Sequence, residues 1–177
     1  MRERDTQRAR LYLCDPVLVM LAKPLPKVVD VERYTKKVFA SKRVQAAFPR
    51  SARWLLPRVG DGRRRRSSCG WSGGISIKLC HRNEAIVLHE LAHTICQREY
   101  GSNVAGHGWQ FCSIYLKLAL YMMGREAHDA LKKEMKVNRV RFTEPRKRKP
   151  MDPEARAALI ARLAAYRATA TAALVQQ

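Results

Sequence analysis

Leu88-His89-Glu90-Leu91-Ala92-His93 sets two histidines four positions apart around a glutamate, inside an otherwise apolar run. On an α-helix, positions i and i+4 share a face. His89 and His93 can therefore aim two imidazoles at one ion while Glu90 stands beside the water that such an ion activates. The surroundings demand a helix as well, because Ala85, Ile86, Val87 and Leu88 lead in and Leu91, Ala92, Ile95 and Cys96 continue an apolar set at helical spacing. A catalytic zinc takes three protein ligands and keeps one position open for water. The third donor is expected at His107, in Gly106-His107-Gly108-Trp109-Gln110-Phe111, where a second apolar helix begins; three of the five histidines then converge.

These residues resemble the core of the SprT-like zinc metallopeptidases, a family that includes the Spartan type, which degrades protein crosslinked to DNA. The resemblance rests on the HELAH helix, the connection through residues 94–106 and the HGxxF segment, and it spans residues 70–120. It implies zinc as cofactor, bound by His89, His93 and His107, with Glu90 as general base and an α+β zincin domain around them. The chain is also similar to small, functionally undefined metallohydrolases of actinobacteria and their phages. It departs from the SprT-like pattern twice. Its five cysteines, Cys14, Cys69, Cys80, Cys96 and Cys112, contain no CxxC pair for a zinc ribbon, and Trp109 stands where proline is usual. The tighter metzincin spacing is absent.

With 177 residues and 46% hydrophobic content the chain can bury one ordinary core. The expected organisation is a catalytic domain over residues 1–142, a basic proline-containing linker over 143–153 and an Ala-rich helix over 154–177. No apolar run has the length of a membrane span, and the charged start Met1-Arg2-Glu3-Arg4-Asp5 leads into no signal-type stretch, so a cytoplasmic protein with reduced thiols is expected. Cys96 and Cys112 read as small core residues.

Along the chain, residues 10–13 and 17–21 read as short extended segments broken at Asp15-Pro16. Asp30 can cap a helix through Val31, Tyr34, Val38, Phe39 and Ala46 that runs until Pro49. Residues 53–56 and 74–79 read as strands joined by a Gly- and Arg-rich connection, the second feeding the metal helix. Zincins commonly present an edge strand to an extended peptide, which makes Gly74, Ile75, Ser76 and Ile77 candidate substrate-binding residues; an ordinary interior strand is the alternative. After His107, Phe111, Ile114, Tyr115, Leu118 and Met122 lie on one face of a helix that ends at Gly124.

Lys and Arg outnumber Asp and Glu by 35 to 15, a formal net charge of +20, so anionic partners are expected. The charge clusters in two blocks, Arg63, Arg64, Arg65 and Arg66 in the inter-strand connection, and Arg139, Arg141, Arg146, Lys147, Arg148 and Lys149 after the core. Both blocks are candidate nucleic-acid contacts, and a solvated basic surface is the alternative. The residues thus point first to a zinc-dependent peptidase acting on protein or peptide, with a basic surface suited to nucleic-acid-associated substrates. Two other readings use the same residues: a basic nucleic-acid-binding protein with structural zinc and no protease activity, or a narrow regulatory peptidase.

Overall fold

The computed structural model describes residues 4–145 and 152–175; Arg146, Lys147, Arg148 and Lys149 lie outside them. The chain divides into two units, Met1–Glu144 and Pro145–Gln177.

The first unit opens with two short helices, α1 (Arg8–Tyr12) and α2 (Asp15–Leu21), where extended segments are expected from the sequence. The apolar side chains explain the correction. Leu11, Cys14 and Leu18 recur at three- and four-residue steps and are fully buried, while Tyr12 and Leu13 between them and Met20 beyond face solvent. Pro16 falls in the first turn of α2, where a missing N–H costs nothing. Helix α3 (Val28–Ala40) follows, buried along Val31, Tyr34, Thr35 and Val38. Asp30 sits inside its first turn rather than before it, and its carboxylate accepts from the Lys27 N–H at 3.1 Å. The single helix expected up to Pro49 breaks at Ser41 into α4 (Lys42–Ala47) and α5 (Pro49–Ala52).

Three short strands form one mixed sheet: β1 (Arg58–Asp61), β2 (Cys69–Trp71) and β3 (Gly74–Ile77), in the order β1-β3-β2. β1 runs parallel to β3 and β2 runs antiparallel to it. Residues 53–56 are not a strand; Arg53 closes α5 and Trp54 and Leu55 are exposed.

Behind the sheet stands α6 (Glu84–Tyr100), which carries the HExxH motif. Asn83 caps it by accepting from the Ile86 N–H at 3.0 Å, and Gly101, at φ 81°, ends it in a conformation that side chains resist. Eleven of its residues are buried, distributed around the whole helix, so α6 is the pillar of the unit rather than an amphipathic cover. Its neighbours are α7 (Trp109–Met122), the sheet, α2, α3 and α5. Helix α8 (Arg125–Val137) packs on α7 and α2 through Ala127, Leu131 and Met135. That fourfold spacing is visible in the sequence. The core is continuous from Leu11 to Val140. The second unit contains α9 (Pro153–Val175). The fold is thus α+β, and no helix among the described residues is long and apolar enough to cross a membrane.

Candidate metal centre

His89 and His93 project from one side of α6, and His107 arrives from the loop before α7. The structure brings all three expected ligands together, with one nitrogen of each ring inside a group whose members lie within 4.8 Å of one another. His89 and His107 are buried and His93 is half-buried. Phe111, on the first turn of α7, forms the floor: its ring centroid lies 5.0, 4.3 and 5.0 Å from those of His89, His93 and His107.

The two ends of each buried imidazole are treated differently. His107 Nδ1 lies 2.7 Å from an Asp5 carboxylate oxygen, while its Nε2 is buried with no hydrogen-bond partner among the described residues. A buried nitrogen of this kind is costly unless something accepts its lone pair. His89 Nδ1 faces Asp15 at 3.3 Å, and Tyr115 O–H donates to the same carboxylate at 3.1 Å. A carboxylate behind a histidine fixes the tautomer and makes the opposite nitrogen a better ligand. Three imidazoles, two of them so backed and one with an orphaned nitrogen, are a donor set that can hold a metal ion.

Charge and burial set the protonation of the site. Burial lowers the pKa of His107, helped by His89 and Arg8 against the opposing pull of Asp5, which favours the neutral, ligating form. Burial also works against the charged form of His89, but Asp15, through its hydrogen bond and charge, and Glu90 outweigh it and the pKa rises. A proton and a cation thus compete for the same ring. Burial pushes the Glu90 carboxyl up to about 7, with Asp15 adding to the shift and His89 opposing it. Burial and Asp15 hold the Tyr115 phenol well above its usual range, so it remains a donor.

Glu90 and His93 border an open cavity of about 310 Å³ whose walls include Asp5, Arg8, Tyr12, Ser68, Cys69 and Gly70. Past Glu90 a second cavity of about 270 Å³ shares Arg8, Tyr12, Ser67, Ser68 and Glu90, and reaches His81 and His89. Tyr12 overhangs the cluster, its ring 5.8 Å from His89 and 5.3 Å from His107. Arg8 Nε donates to its hydroxyl oxygen at 3.2 Å, leaving the phenolic proton to donate elsewhere.

The expected substrate strand needs correction. Gly74, Ile75, Ser76 and Ile77 form the central strand, buried and paired on both sides, so no peptide can add there. β2 lies beside the metal helix instead, because Gly70 has no side chain. A Cβ there would collide with the Glu90 carbonyl oxygen. Arg63, Arg64, Arg65 and Arg66 are exposed in the loop from β1 to β2. Arg63 pairs with Asp61 at 2.7 Å, and Arg65 donates to Cys69 Sγ at 3.0 Å. His81 receives or donates at Ser68 Oγ, 3.2 Å away, and His128 pairs with its neighbour Asp129.

No sequence pattern assigns Asp5, Tyr12 or Asp15 to the site. The available signal was scarcity: with 15 acids in the chain, aspartates in a basic N-terminal segment are unusual enough to question. Comparison of the chain with known proteins returns no matching family model, no matching curated protein and no matching solved structure.

Proposed function

We propose that the protein is a zinc-dependent metallopeptidase whose site consists of His89, His93 and His107 as ligands and Glu90 as general base. The observation that carries the reading is the convergence of the three imidazoles beside Glu90 on an open cleft, with His107 Nε2 buried and without a partner among the described residues. A zinc ion in such a site supplies a Lewis acid for a carbonyl and a water acidic near pH 7.

The remaining chemistry belongs to the chain. Glu90 takes a proton from the attacking water and returns it to the leaving amine. Tyr12, with Arg8 holding its oxygen, donates its phenolic proton to the carbonyl oxygen as negative charge develops there. Asp5 and Asp15 keep His107 and His89 oriented. An extended peptide lies in the cleft against β2, whose outer side pairs with no strand among the described residues, and the main-chain groups of residues 68–70 provide its register.

The test combines elemental analysis with one substitution. The purified protein is expected to carry one zinc per chain and to cleave an unstructured protein such as casein. Glu90→Gln should keep the zinc and the fold while turnover falls by about 10²- to 10⁴-fold. Unchanged turnover in Glu90→Gln would remove the assigned base, and absence of bound zinc would remove the reading altogether.

A further inference from the structure

On the far side of the His107 loop from the cleft lies a pocket of about 250 Å³ that the metal site does not use. Four arginines line it, Arg4 and Arg10 from the N-terminal segment and Arg139 and Arg141 from the segment after α8, and no carboxylate among the described residues does. The start of α7 forms its base. That 14-residue helix begins at Gly108 without a side-chain cap, so its first backbone N–H groups and the positive end of its dipole face the pocket. Gln110 also lines the pocket. Its side chain is 7% exposed, and its Oε1 is buried without a partner among the described residues. A half-turn of the carboxamide presents two N–H donors in place of that oxygen.

Trp109 completes the wall. Nothing in the metal site requires an indole there. A flat aromatic beside guanidinium groups offers a stacking face and phosphate donors together, the combination that holds single-stranded nucleic acid without reading its sequence. A free inorganic anion would use the arginines and leave the indole idle. The net charge of +20 favours a polyanion further.

We propose that this pocket binds a backbone phosphate of single-stranded nucleic acid, with the adjoining base stacked on Trp109. The backbone shape of the arginine segment is part of the device. Arg139 adopts φ 53° at the end of α8, a conformation usually left to glycine, and the Val140 N–H to Met135 O and Arg139 N–H to Lys136 O bonds close the turn around it. A glycine would fit this turn better, so Arg139→Gly removes the cation without harming the fold.

The experiment measures binding of a short fluorescent oligothymidylate to the full-length protein across a series of chloride concentrations. Arg139→Gly is expected to raise or preserve the thermal midpoint and to lower affinity about tenfold. It should also reduce the slope of log K against log[salt] by about 1, the loss of one phosphate contact. Trp109→Leu should lower affinity about tenfold with the slope unchanged, because stacking releases no counterions. Arg64→Gln, on the exposed loop, serves as the charge-matched control and should change little. Inorganic phosphate should compete only weakly at matched ionic strength.

Four results would overturn the proposal, three of them in the variants and competitors. These three are an unchanged slope in Arg139→Gly, a loss confined to Arg64→Gln, or competition by polyglutamate as effective as that of unlabelled oligonucleotide. Binding of phosphate with no binding of the oligonucleotide would overturn it in favour of a free-anion site. None of these readouts depends on zinc or on proteolysis.

Discussion

Helix α6 and the N-terminal segment through α2 serve the same three histidines in opposite ways. α6 contributes His89, His93 and Glu90 from a 17-residue pillar with buried positions around its circumference. The N-terminal segment contributes Asp5, Tyr12 and Asp15 from helices of five and seven residues. It is anchored at a few points, through Leu11, Cys14 and Leu18 in the core and through Gln7. The Gln7 amide donates to His107 O at 2.7 Å and Arg141 O at 2.9 Å, and its oxygen accepts from the Arg141 N–H at 2.9 Å. The difference separates two kinds of support: His89, His93 and Glu90 stand on a buried pillar, while the groups that meet the histidines from outside it arrive on a strap of short helices held at a few points.

Replacing a group on the strap tests this division. The largest effect is expected for Tyr12→Phe, which keeps the ring against His89 and His107 and removes only the proton donor; kcat on a protein substrate should fall about 10²-fold with zinc content unchanged. Equal losses in kcat and zinc would place Tyr12 among the structural supports. Asp5→Asn keeps a hydrogen-bond acceptor near His107 but removes its charge, and zinc affinity measured by competition with a chelator should weaken about 10- to 100-fold. An unaltered affinity would mean that the core alone orients the ligand. Gln7→Leu should have the smallest effect on chemistry. It should cost about 1–3 kcal/mol, since it leaves buried carbonyls unpaired. Hydrogen exchange should then rise across residues 4–21 while α6 stays protected; loosening of both together would merge the two regions into one cooperative unit.

The same contrast explains what the sequence revealed. His89, Glu90, His93 and the pillar are local: ligand spacing and apolar density both fall within one helical run. His107 needs only the next helix to return antiparallel, and its glycine-flanked setting marks a helix start. The supports are not local. Asp15 lies 74 positions from His89 and Asp5 lies 102 from His107, distances over which no periodicity operates. The stretch around Asp15 also reads as extended, because Val17, Val19 and Leu21 suggest a strand by composition. Burial of Leu11, Cys14 and Leu18 on one side decided otherwise. Likewise β3 reads as an edge until β2, three residues long and hidden in an Arg-rich connection, takes its outer side.

Gly70 carries one more consequence. Its missing side chain is what lets a strand backbone rest on the Glu90 carbonyl, and a methyl group there would overlap that oxygen. The width of the cleft is therefore fixed by a spacer of zero length. Any larger residue must push strand and helix apart by roughly 1.5 Å before ordinary contact is restored, so position 70 acts as a thickness gauge between the strand and the helix that border the cavity.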